Sequence, residues 1–348
     1  MSMNGRTRLP QRTAAVVGLG PMGLTHAAIT NGLGRARVVA VADSDNRLVH
    51  MGTRLIPGLQ FFSDTERMIQ ELNPDCVYVC TPPPTHVEVV RSILRAGTPK
   101  AIFVEKPLAS RGAEARALAE EAQRRSILGV VGFQRRFNGV FCETRRLLQQ
   151  REIGEVRLFR AIDLTAGPMG PATGWRGEPQ AGGVTMEWGI HLLDLLLWMF
   201  GIPSAVRARR VRIFSDSVED FASAWLSFPG GVSGTAEWGW NLRNYAPPEL
   251  GLEIHGTEGV IGVNEDRLVV YPGRTDTSTA AVGRPPPRVI HASTLTPMPS
   301  FLLGQPENVW QEVRFHDALD GRDAPENGWV ESVRLHELID TIRDAPLE

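Results

Sequence analysis

The chain has 348 residues, 42% of them hydrophobic and 22% charged, which is length for about two domains and an ordinary globular composition. A formal net charge of −2 gives no electrostatic reason to bind nucleic acid or an anionic membrane. Three cysteines, Cys76, Cys80 and Cys142, are too few for a disulfide framework, and no metal site is expected from them.

In chain order, residues 1–12 are polar, with no apolar run before the first strand, so a flexible arm and no secretory signal are expected. Residues 13–17 (T-A-A-V-V) read as a short buried strand, followed by a Gly-rich turn and a helix over 22–33. Residues 37–42 are a second buried strand ending at Asp43. Further strands are expected at 77–80, 101–104 and 127–132, with helices at 86–96 and 114–125. Strands alternating with helices predict a doubly wound parallel sheet, a Rossmann domain over 13–134.

The pattern changes after about residue 135. A helix over 140–150 precedes a strand over 155–164, a Gly/Pro-rich loop over 167–183, and an apolar helix over 187–200. Interrupted by Asp194, that apolar stretch is far too short to span a bilayer. Strands at 221–228 and 232–240 flank Pro229-Gly230-Gly231, a hairpin signal. Strands at 250–255 and 260–263, a long loop over 272–300, and helices at 307–319 and 330–343 complete an α+β domain over 135–348. A cytoplasmic location is expected.

The chemistry concentrates in three motifs. Gly18-Leu19-Gly20-Pro21-Met22-Gly23 is a G-x-G-x-x-G that follows a strand and opens a helix, the context that marks dinucleotide binding. Its glycines serve a tight turn, approach of the pyrophosphate and close helix packing, and the helix N-terminus faces the phosphates. Asp43 ends the next strand, where a carboxylate meets ribose hydroxyls and repels a 2′-phosphate. NAD is favoured, and nearby Arg47 leaves NADP open. Asp43 also reads as a turn or N-cap residue.

Glu105-Lys106-Pro107 sits at the carboxyl end of a strand, where doubly wound sheets bind ligands. Only Lys100 and Lys106 are lysine in an Arg-dominated chain, so Lys106 marks a task for a compact ammonium. In the third motif, residues 182–194, Glu187, His191 and Asp194 have spacings that place them on one helical face. A carboxylate beside an imidazole fixes its tautomer. From the helix alone, a capped helix with a core histidine is the favoured reading.

Taken in order, the G-L-G-P-M-G turn, T-P-P-P-T-H (81–86), E-K-P (105–107), G-F-Q-R-R-F-N (132–138), W-R (175–176), G-G-V-T-M-E-W-G-I-H-L-L-D (182–194) and H-G-T-E-G (255–259) make the chain resemble the Gfo/Idh/MocA family. This is the glucose–fructose oxidoreductase and inositol dehydrogenase superfamily, and the resemblance covers about residues 12–343. It implies a Rossmann domain followed by an α+β domain with a large, mostly antiparallel sheet. The open face of that sheet is the usual oligomer interface, so a homodimer or homotetramer is implied.

The resemblance also implies site roles. Thr81, Pro82 and His86 would line the cofactor, and Glu105 and Lys106 would flank the nicotinamide ribose, often with a cis Lys106–Pro107 bond. Gln134 and Arg135 would approach nicotinamide and substrate. Lys106 and His191 match the catalytic pair, Glu187 would orient His191 or a hydroxyl, and Trp175, Arg176 and Tyr245 would shape the substrate pocket. The family usually has Asp where this chain has Glu187, so the charge is kept and the carboxylate reaches one methylene farther. The implied activity is NAD(P)-dependent hydride transfer at a secondary alcohol of a sugar, sugar derivative or cyclitol. Two alternatives on the same scaffold are a glycosidase that oxidises its substrate transiently with bound NAD, and a non-catalytic NAD(P) sensor.

Overall fold

The computed structural model describes residues 12–166, 174–179, 182–240, 249–273, 286–295 and 305–348. These residues form two compact units. The first holds described residues 12–108, 116–132 and 305–330. The second holds the described residues among 109–115, 133–300 and 331–348. The described chain thus passes into the second unit over 109–115 and again from 133, re-enters the first by 305 and leaves it a last time at 331.

The first unit is built on six parallel strands: β1 (Arg12–Val17), β2 (Ala36–Ala42), β3 (Gln60–Phe62), β4 (Cys76–Val79), β5 (Ala101–Glu105) and β6 (Leu128–Gly132). Their order is β3-β2-β1-β4-β5-β6, the doubly wound arrangement the alternating pattern predicts. Short apolar runs such as A-A-V-V and C-V-Y-V are buried on both faces, as parallel strands must be. The helices are α1 (Pro21–Leu33), α2 (Asn46–Leu55), α3 (Thr65–Leu72), α4 (His86–Ala96) and α5 (Gly112–Arg124). No reading of the sequence above places α2, β3 or α3. Helices α2 and α3 begin at the N-caps Asp45 and Asp64, whose side chains accept from the Arg47 and Arg67 amides.

The second unit contains an eight-stranded sheet: β7 (Val156–Leu164), β8 (Ala205–Val211), β9 (Phe221–Ser227), β10 (Ser233–Gly239), β11 (Glu249–Gly256), β12 (Gly259–Asn264), β13 (Arg267–Pro272) and β14 (Arg288–His291). The order is β14-β13-β12-β11-β7-β10-β9-β8, with every pair antiparallel except β7 with β10. Helices α6 (Gly139–Gln149) and α7 (Ile190–Phe200) pack on one face. Leu192, Leu193, Leu195 and Leu196 of α7 are fully buried, worth on the order of 6–12 kcal/mol together. Phe159, Phe200 and Phe228 stack within the same core at 5.4–5.8 Å. Strand β14 and a short helix α8 (Ala292–Leu295) lie inside the stretch expected to be loop.

Two helices follow, α9 (Pro306–Leu319) and α10 (Trp329–Arg343). In the first unit, α1 and α9 share the sheet face bearing Tyr78 and Phe103, with Phe315 of α9 against both rings. Residues 327–329 cover the β6 edge. Asn327 donates to the Val131 carbonyl at 2.6 Å and Trp329 Nε1 to the Val130 carbonyl at 3.1 Å. Those bonds satisfy an edge that would otherwise be open. Among the described residues, no helix is long and apolar enough to cross a membrane.

Candidate active site

In the first unit, the strand order reverses between β1 and β4, and the Gly-rich turn sits at that switch point. Gly18 has φ +102°, and a Cβ there would lie 2.7 Å from the Cys80 carbonyl oxygen. The turn after β1 therefore touches the loop after β4. Gly23 carries the opposite face of the turn: a Cβ there would lie 1.9 Å from the Gly18 oxygen. A Cβ on Gly20 would meet nothing within 4 Å. That open side, an α1 N-terminus with Pro21 in its first turn and no acidic residue near it, fits an approaching pyrophosphate. Met22 is half-buried beside it.

Asp43, half-buried at the end of β2, accepts from the Leu19 amide at 2.7 Å and the Asp45 amide at 2.8 Å. It therefore ties the β2 end to the Gly-rich turn. The N-cap of α2 is Asp45 rather than Asp43. Arg47, the cation that would favour a 2′-phosphate, is paired with Asp45 at 2.7 Å.

Thr81 and Pro82 follow β4 and lead into α4. His86 is fully buried, with Nδ1 2.6 Å from the Pro107 carbonyl and Nε2 2.8 Å from the Thr81 carbonyl. It clips the loop after β4 to the turn after β5, where the Lys106–Pro107 bond is cis. Burial pushes its basicity down, against the raising effect of those two carbonyls. Lys106 is half-buried at this turn.

Glu105 leads to a network that sequence reasoning missed. His26 of α1 is fully buried, with Nε2 2.8 Å from Glu105 Oε1 and Nδ1 hydrogen-bonded to Glu312 of α9. Glu312 also accepts from the Tyr78 hydroxyl at 2.7 Å. Burial alone would lower the His26 pKa, yet the hydrogen bonds and charges of Glu105 and Glu312 outweigh it and raise the value to about 10. For Glu105, burial would raise the pKa, and His26 holds it below the usual range. Because the folded His26 pKa lies above the ordinary 6.5, its contribution to stability is full below that value and is lost as pH rises through about 10. Thermal denaturation from neutral to alkaline pH is therefore expected to show a falling midpoint, and His26→Asn should flatten that fall.

In the second unit, Gln134–Phe137 form a single 3₁₀ turn. Gln134 is half-buried. Arg135 is ion-paired with Asp163 of β7 and lies 3.3 Å from Glu265. Trp188 Nε1 donates to Asp163 at 2.6 Å, and the Arg135 guanidinium lies 5.8 Å from the Trp188 ring. Arg136 and Asp194 form a buried two-pronged ion pair, 2.7 Å from Nε to Oδ2. Burial raises the Asp194 pKa despite Arg136. Both Asp194 oxygens accept from Arg136, a tertiary partner that its helical spacing from His191 does not announce.

Residues Thr185–Gly189 form a wide, π-helical turn ahead of α7, so the α-helix begins at Ile190 rather than at 187. Such turns recur at functional sites. Glu187 lies in it, and His191 follows in the first turn of α7; both are at least nine-tenths buried. Arg176 stacks on Trp175 at 4.6 Å and donates to Glu187 Oε1 at 3.2 Å. The structure therefore brings Trp175, Arg176 and Glu187 together. Tyr245 lies outside the described residues. Among the described residues, no cluster of three or more His, Cys, Asp or Glu side chains is placed to hold a metal ion.

Family models decide the kinship. An oxidoreductase model with an NAD-binding Rossmann fold matches residues 12–133, and a GFO/IDH/MocA C-terminal domain model matches residues 141–262. The chain belongs to the Gfo/Idh/MocA family. Similar members include trans-1,2-dihydrobenzene-1,2-diol dehydrogenase of Mus musculus, 31% identical over 71% of this chain and 74% of that one. Another is scyllo-inositol 2-dehydrogenase (NAD(+)) of Bacillus subtilis, 26% identical over 72% and 73%. Among solved structures, levoglucosan dehydrogenase in complex with NADH and levoglucosan shares the fold with a TM-score of 0.80. It is 23% identical and covers 95% of this chain and 96% of that one. The parallel Rossmann sheet and the mixed second sheet are those the family resemblance implies.

Proposed function

We propose that this family member is an NAD-dependent dehydrogenase that oxidises a secondary hydroxyl of a sugar, sugar derivative or cyclitol, reversibly. The observation that carries the reading is the Gly-rich turn tied to Asp43, with the Glu105-Lys106 pair at the carboxyl end of β5 in the same unit. The similar dehydrogenases named above act, by name, on a dihydrobenzene diol, an inositol and levoglucosan, which supports a ring-borne secondary alcohol.

When bound, NAD would supply the hydride acceptor. The amides of the Gly18–Gly23 turn would hold its pyrophosphate, Asp43 its adenosine ribose, and Thr81, Pro82, Glu105 and Gln134 its nicotinamide half. His86, which the resemblance would set against the cofactor, is fully buried with both ring nitrogens on carbonyls and would act instead by clipping two of those loops together. His191 is the general base that takes the hydroxyl proton, and Lys106 donates a hydrogen bond to the developing alkoxide. Glu187 orients His191 or a neighbouring hydroxyl, while Arg135, Trp175 and Arg176 shape the substrate pocket. Turnover of NAD with a panel of sugars and cyclitols tests the reading.

Asp43→Ala removes both the ribose acceptor and the repulsion toward a 2′-phosphate. It should lower kcat/KM for NAD about tenfold, a charged hydrogen bond's worth, and shift the NAD-to-NADP ratio toward NADP. An unchanged ratio would refute the assigned role.

We also infer a homodimer or homotetramer assembled through the open face of the second sheet. Leu158, Trp225 and Tyr271 are about 45% exposed there, and Arg160, Glu237 and Glu253 line a trough of about 500 Å³ on the same face. Apolar residues mixed with both charges suit a self-complementary interface. Trp225→Glu should convert the assembly to monomers in light scattering, whereas an oligomer that survives the change would place the interface elsewhere.

A further inference from the structure

Burying a charged imidazole between two carboxylates is at best a break-even exchange against an apolar core, so stability alone does not account for the His26 network. Its geometry has a direction, however. Carboxylates only accept hydrogen bonds, so an imidazole placed between Glu105 and Glu312 uses both ring nitrogens as donors. The ring is fixed between Tyr78, at 5.5 Å, and Phe103, at 4.8 Å. Glu312 is held in turn by the Tyr78 hydroxyl, which also accepts from Thr30 and lies 3.3 Å from His316 Nε2.

Glu105 is seated equally tightly on its far side. A Cβ on Gly132 would lie 2.9–3.0 Å from its carboxylate, so the residue ending β6 leaves room for that carboxylate and little more. Glu105 Oε2 accepts from the Lys106 amide at 3.2 Å. The Glu105 carboxylate at the carboxyl end of β5 is therefore gripped from three directions, and His26 supplies the charged grip.

We propose that His26 is a positioning residue for cofactor binding: bridging Glu312 and Glu105, it fixes the Glu105 carboxylate at the sheet edge where the nicotinamide ribose is received. The inference rests on the role given to Glu105 in the proposed function. It places part of the cofactor site's order in α9, a helix more than two hundred residues downstream of the Rossmann strands' Gly-rich turn. Pre-organised polar groups bind without the entropy loss of ordering them on contact, so a loosened Glu105 costs affinity for the part of the cofactor it touches and for no other part.

That selectivity is the test. Equilibrium binding of NADH and of ADP is measured for the full chain and for His26→Asn, Glu312→Gln and Glu105→Gln. ADP reports the adenosine half alone. His26→Asn should weaken NADH about tenfold and leave ADP within about twofold, with Glu312→Gln showing the same selectivity to a smaller degree. Should His26→Asn fail to fold, Glu312→Gln decides by the same comparison. Equal losses for NADH and ADP would overturn the proposal, since a merely structural role weakens both. Wild-type NADH affinity in the His26 and Glu312 variants, with Glu105→Gln weakened, would also overturn it while sparing the role of Glu105. Unchanged NADH affinity in Glu105→Gln would instead refute the reading on which it rests.

Discussion

His191→Ala is expected to lower kcat by roughly 10²–10⁴-fold, the usual contribution of a positioned general base, with NADH affinity unchanged. The phosphate and ribose contacts proposed above come from the Gly-rich turn and Asp43, which the change does not touch. His191 is only 6% exposed in the first turn of α7, so a general base there would act with little competition from bulk water. Lys106→Ala should lower kcat by roughly 10²–10³-fold, the scale of removing a donor to a developing oxyanion. Lys106→Arg should rescue little of it, because a planar fork does not replace a compact ammonium. Steady-state rates paired with equilibrium NADH binding make the check. Unchanged kcat in both alanine variants would remove the catalytic assignment and leave cofactor binding standing.

The Gly-rich turn yields the second large effect, and its glycines are expected to fail differently. Gly23→Ala puts a methyl 1.9 Å from the Gly18 oxygen, so α1 or the turn must move. Overpacking of this kind costs about 1–3 kcal/mol of stability, and NADH affinity falls with it. Gly20→Ala adds a methyl into open space. Its melting temperature should stay at the wild-type value while NADH affinity drops at least about tenfold, because the methyl stands where the pyrophosphate approaches. Equal melting temperatures and equal affinities across all three proteins would mean that this turn does not hold a dinucleotide.

Much of the architecture was legible because it is local. A strand of small apolar residues, a glycine turn and a helix start follow one another within twelve residues, and each has its own signal. The same holds for Thr81-Pro82 after β4, for Glu105-Lys106 after β5, and for the hairpin at Pro229-Gly230-Gly231. Helices α2 and α3 were not placed, although Asp45 and Asp64 cap them, because both are short and rich in polar residues. The π-helical turn before α7 has no periodic signature to read.

What stayed hidden in the site is long-range. His26 and Glu312 are separated by 286 positions, and nothing near Glu312 marks it as an imidazole partner. His26 itself carries a faint cue: it lies one turn beyond Gly23 on the buried side of α1. Asp194 shows the complementary case. Its spacing from His191 is a true helical neighbour distance, yet Arg136, 58 positions away, claims the carboxylate through tertiary packing. Asp163 and Trp188, which hold Arg135 from elsewhere in the chain, were likewise invisible as partners.

The most direct measurement is the formation of reduced nicotinamide when the purified chain is given NAD and a panel of sugars and cyclitols. Sustained, stoichiometric NADH production with at least one secondary alcohol, abolished by His191→Ala, is the predicted result. Tight NAD binding with no net NADH from any member of the panel would contradict a dehydrogenase, and cleavage of a glycoside in the same mixture would identify the transient-oxidation chemistry in its place.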